Sequence, residues 1–260
     1  MRTKRLIGVI AVRNGRVVKS VGYRRWFPAG SIATALMNLD RWGVDEILLV
    51  DVSRAGRVDS RVLDVLRSTR IGTPLTLGGG IRSLADVTEA LRSGADRILV
   101  ESLFWEAPGE LDRIIRSVGA QAVVGSLPVV EGHGEHINCW TPSPTADGRP
   151  SDVDMWIDRM QQFDLEEVLV TDVRNEGRHG SFSTELPDRL SEHLQALKRP
   201  IIWFGGLCST TAGALLSRPE TVGVAFGNLL LEHEVAVPAL RDAMRERSPE
   251  ALRQVRLSRD

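Results

Sequence analysis

The chain has 260 residues, of which 42% are hydrophobic, and its formal net charge at neutral pH is −1. This composition is typical of a soluble protein with an apolar core, and the balanced charge excludes a global basic field that would bind nucleic acid or anionic membranes. Cys139 and Cys208 are too few for a disulfide framework, and the apolar run from Leu6 to Val12 is too short to span a membrane. We therefore expect a cytoplasmic chain that folds as one domain over residues 1–260, without nucleic acid or membrane partners.

Short apolar runs alternate with amphipathic stretches along the whole chain. Strands are predicted at Arg5–Val12, Glu46–Asp51, Thr73–Leu77, Arg97–Val100, Ala122–Ser126, Glu167–Asp172, Pro200–Phe204 and Gly223–Phe226. Helices are predicted at Ser31–Trp42, Arg61–Ser68, Leu84–Ser93, Pro108–Val118, Val153–Phe163, Glu185–Ala196 and Ser209–Leu216. Strands separated by helices indicate parallel pairing. Together with the chain length, this alternation favours the α/β class and a closed (β/α)8 barrel over an open doubly wound sheet.

The longest irregular stretch runs from Val129 to Asp152, and we expect it to carry a hairpin or a mobile flap. It contains a run of His and Glu residues at 131–136, close to Cys139, which superficially resembles a metal-binding cluster. Because this run lies in a glycine-bearing loop rather than on a helix face, a solvated flap is favoured and no metal or cofactor is expected. The charged stretch Arg241–Asp260 is predicted to be a closing helix with a frayed end.

Two glycine-rich turns occupy equivalent positions in the two halves of the chain. A strand that ends at Asp51 is followed by a strand that ends in Gly78–Gly80, and a strand that ends at Asp172 is followed by one that ends in Gly205 and Gly206. Glycine permits close backbone approach to a ligand, and the start of the following helix offers free N–H groups to an anion. The repeat indicates two similar half-barrels, and the paired turns would suit a ligand with a phosphate at each end. Tight turns without a ligand are the alternative.

The ordered set of motifs resembles the histidine-biosynthesis barrel family, in particular the cyclase subunit of imidazole glycerol phosphate synthase. The motifs are Arg5-Leu6-Ile7, Asn14-Gly15-Arg16-Val17-Val18-Lys19, Val44-Asp45-Glu46-Ile47-Leu48-Leu49-Val50-Asp51, Gly78-Gly79-Gly80-Ile81-Arg82, Gly94-Ala95-Asp96-Arg97 and Gln121-Ala122-Val123-Val124, within a resemblance that runs from about Arg5 to about Leu231. The resemblance implies a (β/α)8 barrel with half-barrel symmetry. It also implies phosphate-binding positions at Gly79, Gly80, Ser102, Gly177, Gly205, Gly206, Gly227 and Asn228.

The chain departs from this family at the positions that carry its chemistry. The resemblance places the family's general acid and base, both aspartates, at the ends of the first and fifth strands, where this chain has Ala11 and Pro128. Neither side chain transfers a proton. Glu176 stands at a third acidic position, and Glu101, beside Ser102, would repel a phosphate unless it turns away. We therefore do not expect the cyclase reaction as the family performs it.

A second set of positions, at the other end of the strands, is retained. In the family a glutaminase subunit delivers ammonia past a ring of charged residues at the amino-terminal end of the barrel. By position the ring here is Arg5, Glu46, Arg97 and Glu167, and Asp96 and Gln121 match positions near the docking face. One lysine of the family ring is replaced by arginine, whose planar fork differs from an ammonium group. The alternative is that these charges only hold the barrel bottom together.

The chain lacks the catalytic aspartates but keeps the charged ring. In this combination it resembles the family's paralogues in bacterial surface-sugar (lipopolysaccharide) amidation. By this resemblance the chain would pair with a glutaminase and conduct ammonia through the barrel to a third amidotransferase protein. Two alternatives stay open. The first is an active cyclase, lyase or related phosphosugar enzyme that uses Asp51, Asp172 or Glu176, since barrels carry their chemistry at strand ends. The second is a non-catalytic barrel that binds a phosphorylated small molecule.

Overall fold

The computed structural model describes residues 3–53, 56–132, 136–140, 152–232 and 236–247. Its strands, in chain order, are β1 (Arg5–Arg13), β2 (Arg16–Val21), β3 (Arg25–Gly30), β4 (Glu46–Asp51), β5 (Leu75–Gly78), β6 (Arg97–Val100), β7 (Val123–Glu131), β8 (Ile137–Cys139), β9 (Glu167–Asp172), β10 (Ile201–Phe204) and β11 (Thr221–Phe226). Parallel pairing runs in the order β1, β4, β5, β6, β7, β9, β10 and β11, and β11 pairs back with β1. The sheet therefore closes into a barrel, which confirms the predicted (β/α)8 fold.

Helices cover the outside of this barrel. They are α1 (Ile32–Trp42), α2 (Ser60–Ser68), α3 (Leu84–Arg92), α4 (Leu103–Glu106), α5 (Pro108–Val118), α6 (Val153–Met160), α7 (Leu186–Arg189), α8 (Ser191–Leu197), α9 (Ser209–Leu216), α10 (Asn228–Glu232) and α11 (Ala236–Arg247). Short polar side chains fix several starts: Ser31 accepts from the N–H of Thr34, and Ser83 accepts from that of Asp86. These bonds satisfy amide groups that the helix itself leaves unpaired. Among the residues that the structure describes, no helix is long and apolar enough to cross a membrane.

Apolar side chains form two layers because successive residues of a strand point to opposite faces. In β1, Leu6 and Ile10 belong to the larger cluster between strands and helices, whereas Ile7 and Val9 belong to a cluster inside the barrel. The inner cluster also contains Leu48, Leu99, Val124, Leu169, Ile202, Phe204, Val222 and Ala225. The barrel interior is therefore a packed apolar core at mid-height, and polar chemistry is confined to its two ends.

Every predicted strand corresponds to a barrel strand, but the sequence pattern does not predict the hairpin formed by β2 and β3. β2 pairs antiparallel with β1, and β3 pairs antiparallel with β2. β3 is largely exposed and contains Pro28, so it lacks the alternation that marks a half-buried strand. The hairpin turn uses left-handed backbone at Gly22 and Tyr23, with φ of 60° and 49°.

The long loop after the fifth barrel strand contains a hairpin, as expected. β8 pairs antiparallel with the end of β7, from Val129 opposite Cys139 to Glu131 opposite Ile137. The rest of the predicted flap, including His133 and Glu135, lies outside the described residues. So does the carboxyl-terminal part of the predicted closing helix, which begins earlier than expected, at Ala236 in α11.

Candidate functional site

Four charged side chains form a closed ring at the amino-terminal end of the barrel. Arg5, Glu46, Arg97 and Glu167 are each the first residue of a barrel strand. Arg5 Nη1 lies 2.8 Å from Glu46 Oε2 and Arg5 Nη2 lies 2.6 Å from Glu167 Oε1. Arg97 Nη1 lies 2.7 Å from Glu167 Oε2, and Arg97 Nη2 pairs with Glu46 Oε1. Each carboxylate therefore bridges both guanidinium groups, and the ring is neutral as a whole.

Burial makes the charges of this ring depend on one another. The side chains of Glu46 and Glu167 are only 5% and 7% exposed, and those of Arg5 and Arg97 are 18% and 15% exposed. Burial alone would raise the pKa of Glu167, but Arg5 and Arg97 outweigh it, and the pKa lies below its ordinary value. Burial likewise opposes the charge of Arg97, but Glu46 and Glu167 outweigh it and raise the pKa of that guanidinium. Arg97 and Glu167 are therefore both charged at neutral pH because each is compensated by its neighbours.

A cavity of about 350 Å³ opens at the other end of the barrel, where the parallel strands finish. Its floor contains Leu48, Leu99 and Leu169 together with Val50 and Phe204. Its wall includes Asp51 at the end of β4 and Pro128 in the upper half of β7. A concave site of this size with an apolar floor and a few polar groups is typical of small-molecule binding.

On β4, β6 and β9, a single leucine side chain lies between each ring residue and this cavity. Leu48 follows Glu46 by two residues, and Leu99 and Leu169 follow Arg97 and Glu167 by the same step, so each leucine lies directly above a ring residue. Two residues of strand rise by roughly 7 Å. The charged ring and the cavity floor are therefore about one side chain apart.

Glu101 brings a carboxylate into the cavity at a position that the resemblance assigns to phosphate binding. It lines the cavity together with Ser102, and its Oε2 accepts a hydrogen bond from Ser126 Oγ at 2.8 Å. Glu101 therefore does not turn away from the mouth. A third acidic group, Glu106, also lines the cavity but is paired with Arg82. Because the carboxylates of Asp51 and Glu101 both line the cavity, binding of an anion at this end of the barrel mouth is unfavourable.

Two aromatic residues form the lip of the cavity. The rings of Tyr23, from the β2–β3 turn, and Trp140, after β8, lie with centroids 5.8 Å apart. Burial, with the negative charges of Glu176 and Glu101, raises the pKa of Tyr23 well above its ordinary value of 10.0. The Tyr23 hydroxyl therefore stays protonated at neutral pH.

Backbone geometry requires glycine at the equivalent turns in both halves of the barrel. Gly79 has φ of 86°, and a Cβ on it would overlap the backbone carbonyl oxygen of Asp51. Gly205, with φ of 107°, stands in the same relation to the carbonyl oxygen of Asp172. The equivalent contacts support the half-barrel repeat that the sequence indicates. They also show that the backbone itself requires glycine at these two positions, whether or not a ligand binds.

The structure divides seven of the eight predicted phosphate-binding residues between two cavities, and Gly205 lines neither of them. Gly79, Gly80 and Ser102 line the main cavity. Gly177, Gly206, Gly227 and Asn228 line a smaller cavity of about 70 Å³ across the barrel mouth. In this smaller cavity the Asn228 amide already donates to the carbonyl oxygens of Ser20, at 2.7 Å, and Gly177, at 3.2 Å.

Of the three predicted alternative acids, Asp51 lines the main cavity, whereas Asp172 and Glu176 do not. Asp172 accepts from Asn175 Nδ2 at 2.8 Å, and burial raises its pKa although hydrogen bonds from Asn175 and Ser183 oppose the shift. Glu176 accepts from Ser20 Oγ at 3.0 Å and from the N–H of Tyr23 at 3.1 Å. Both carboxylates are therefore bound within loop structure.

The two positions of the family aspartates differ in their surroundings. Pro128 lines the main cavity, and Ala11 follows Ile7 and Val9 on the face of β1 that points into the barrel. Asp96 and Gln121 are exposed and lie on the same face as the ring: Asp96 immediately precedes β6, and Gln121 lies in the short 3₁₀ turn Ala120–Ala122 before β7. Asp96 also accepts from the N–H of Leu75 at 2.8 Å, which ties it to the neighbouring strand.

Metal binding finds no support in the part of the chain that the structure describes. No group of three His, Cys, Asp or Glu side chains there is placed to hold a metal ion. His133 and Glu135, which belong to the superficial cluster seen in the sequence, lie outside that part.

Together these features define a class of protein: a (β/α)8 barrel of two similar halves, with a neutral charged ring below and a ligand-sized cavity above. The histidine biosynthesis protein family model matches residues 5–236, and the chain belongs to that family. It is 30% identical over 250 residues to the imidazole glycerol phosphate synthase subunit HisF of Alkaliphilus metalliredigens, covering 95% of this chain and 97% of that one. It is 31% identical over 209 residues to the HisF subunit of Metallosphaera sedula, covering 79% and 81% of the two chains.

Proposed function

We propose that the chain is the barrel subunit of a cytoplasmic glutamine amidotransferase complex and that it conducts ammonia from a bound glutaminase to the cavity at its carboxyl-terminal end. The observation that carries this proposal is the short distance between the charged ring and the cavity floor, which on three strands is spanned by one leucine each. The names of the relatives support it, since each is a subunit of imidazole glycerol phosphate synthase.

The ring suits a gate for a small neutral molecule. In its closed form four ion pairs occupy the bottom of the barrel, so passage requires a guanidinium group to swing away from one of its carboxylates. Arg5 and Arg97 are the more exposed members, and they face the end where Asp96 and Gln121 lie. Ammonia carries no charge, so it crosses the apolar core without the large desolvation cost of an ion.

Ammonia that reaches the cavity needs an acceptor, and we propose that this acceptor belongs to a surface-sugar amidation pathway with a third amidotransferase protein. Ala11 and Pro128 supply no acid or base, and Glu101 opposes a phosphate beside Ser102. Both differences argue against the bisphosphate cyclisation that the family resemblance implies. Neither difference changes the proposed ammonia path from the charged ring to the cavity floor.

Co-purification with a glutaminase subunit of the imidazole glycerol phosphate synthase type tests the proposal, together with the rate of glutamine hydrolysis with and without the barrel. We expect a stable complex and a faster glutaminase. Gln121→Arg should weaken the complex because it adds a charge on the amino-terminal face. Phe27→Arg adds the same charge to an exposed side chain of the β2–β3 hairpin and is the matched control. A glutaminase that neither binds nor responds to the barrel would refute the proposal.

A second candidate function is an enzyme that uses the acids of the main cavity. It is favoured by the placement of Asp51 and Glu101 around one apolar floor, with the Ser126 hydroxyl bound to Glu101. Turnover of a phosphorylated sugar or aminoimidazole compound that Asp51→Asn abolishes would support it. Turnover that survives this substitution, or that is absent from the wild-type chain, would contradict it.

A further inference from the structure

A second cavity, of about 600 Å³, lies beside the main one and is lined by three separate segments. The β2–β3 turn contributes Arg24 and Arg25, and the loop after β9 contributes Arg174 and Arg178. The third segment is the β7–β8 hairpin with the residue that follows it, Trp140. We refer to the cavity formed around these four arginines as the arginine groove.

The arginine groove carries a concentrated positive charge. All four arginines are exposed, and none forms an ion pair with a carboxylate of any residue whose placement the structure describes. Glu131 is an acidic residue of the lining, but its Oε1 lies 2.7 Å from Arg189 Nη1 and also accepts from Ser183 Oγ at 2.9 Å. Its charge is therefore balanced from outside the groove. The positive charge of the four arginines is therefore not compensated by the acidic residue of the lining.

Hydrogen bonds hold the two arginine-bearing segments together. The Glu176 carboxylate, in the loop after β9, accepts from Ser20 Oγ at 3.0 Å and from the N–H of Tyr23 at 3.1 Å. The Glu176 carbonyl oxygen accepts from the N–H of Gly22 at 3.0 Å. Glu176 is only 3% exposed, so these bonds are shielded from water. The two backbone segments that carry the arginines are thus held together before any ligand arrives, which lowers the entropic cost of bringing them to the ligand.

We propose that the arginine groove binds the phosphoryl groups of a small organic phosphate or diphosphate ester. Guanidinium groups match phosphate oxygens bidentately and remain charged at any physiological pH. The volume lies within the range of small-molecule sites, and Val21, Val130 and Val173 provide apolar walls for the rest of the ligand. A concave, partly apolar cavity of this kind favours a small molecule over an acidic protein segment.

Trp140 lines both the arginine groove and the main cavity. A ligand whose phosphates lie on the arginines therefore extends past Trp140 towards Glu101 and Ser126, where hydroxyl or amine groups find acceptors. The site differs from the two glycine turns because neither Gly79 nor Gly206 lines it. Of the four arginines, Arg178 also lines the smaller cavity beside Gly206, whereas Arg24, Arg25 and Arg174 do not. The inference does not depend on glutaminase binding, so each stands or falls separately.

Calorimetric titration of the full chain with inorganic pyrophosphate, and then with uridine diphosphate, tests the proposal. We expect saturable binding that weakens as salt rises, and at least a roughly tenfold loss of affinity in the double variant Arg24→Gln/Arg174→Gln, since neither of these arginines lines the smaller cavity at the glycine turn. Arg116→Gln is the control, since Arg116 is 78% exposed on α5 and pairs only with Asp112 among the residues described. Its affinity should match that of the wild-type chain. Absence of binding, or equal affinity in the double variant, would overturn the proposal, and the latter would place the anion elsewhere, such as at the glycine turns.

Glu176 acts in this scheme as a positioning residue, and its substitution separates placement from charge. Glu176→Ala raises the net charge by one unit, which by itself would strengthen anion binding, but it releases the β2–β3 turn from the loop after β9. We expect weaker pyrophosphate binding in this variant and recovery in Glu176→Gln, whose amide oxygen still accepts from Ser20 and Tyr23. Unchanged or tighter binding in Glu176→Ala would contradict the positioning role.

Discussion

Removing one carboxylate from the charged ring should cost far more stability than removing an exposed one. In Glu167→Gln the two guanidinium groups, 15% and 18% exposed, would share the single carboxylate of Glu46 and leave one buried positive charge uncompensated. Breaking a buried ion pair costs about 3–5 kcal/mol, and the partial exposure of Arg5 and Arg97 reduces the expected loss to about 2–3 kcal/mol. For a chain of this size such a loss lowers the melting temperature by roughly 4–12 °C.

Urea unfolding followed by circular dichroism measures this loss, and an unchanged slope would show that the denatured state is not altered. Glu89→Gln is the control, because the Glu89 side chain is 47% exposed and its pair with Arg67 lies at the surface. We expect that control to cost about 0–1 kcal/mol. Arg97→Gln/Glu167→Gln restores neutrality, so the loss in the double variant should fall short of the sum of the single losses by about 1–2 kcal/mol.

The effect should also depend on pH with a defined sign. Because Arg5 and Arg97 hold the pKa of Glu167 below its ordinary value of 4.5, the folded chain binds fewer protons there than the unfolded chain. The stability that Glu167 contributes is complete above pH 4.5 and is lost as the pH falls through the lowered folded pKa. The difference between wild type and Glu167→Gln should therefore shrink in acid. Ordinary surface substitutions change stability by roughly 0.5 kcal/mol. A loss of stability below about 0.5 kcal/mol at pH 7, or a difference between the two proteins that grows in acid, would refute the view of the ring as one coupled unit.

Three further predictions follow from the loops and the cysteines. Gly177→Ala should destabilise the chain by about 3 kcal/mol in the same unfolding assay, because φ is 76° and a Cβ would overlap the carbonyl oxygen of Ser20; near-neutral stability would contradict that contact. Burial raises the pKa of Glu176 above its ordinary value of 4.5, so the folded chain binds a proton there more readily than the unfolded chain. The wild-type chain should therefore gain stability relative to Glu176→Gln as the pH falls through the raised folded pKa. A loss of stability relative to that variant would contradict the direction of the pKa shift. Burial raises the pKa of Cys139 well above 9.0, whereas at Cys208 hydrogen bonds outweigh burial and lower it, so a thiol reagent at pH 8 should label Cys208 much faster than Cys139 in the native chain.

The barrel could be predicted from the sequence because its signals are local. Each barrel strand is a short apolar run, and the alternation of strands and helices by itself indicates parallel pairing. The ring could be predicted only through the family resemblance. Its members are separated by up to 162 positions, from Arg5 to Glu167, and periodicity alone does not show that four strand starts meet.

The parts that sequence reasoning missed depend on contacts between distant loops. Glu176 is an acid at a strand end, which predicts chemistry, but its role in joining the β2–β3 turn to the loop after β9 requires the folded backbone. The arginine groove is invisible for the same reason, since Arg25 and Arg174 lie far apart in the chain. For Glu101, the sequence analysis identified the carboxylate and left only its orientation open. A signal for that orientation was present, since Glu101 follows Leu99 by two residues and alternation places both on the inner face of the barrel.

The glycine turns have a consequence for how proteins of this kind are classified by motif. At Gly79 and Gly205 the carbonyl oxygens of Asp51 and Asp172 fill the space that a side chain would need. Selection for a stable backbone is then enough to keep these glycines after a duplicated half-barrel changes its ligand. Their presence records how the barrel was built, and a search for descendants with new chemistry should weigh the residues that face the cavity, such as Glu101 and Pro128, above the glycines that frame it.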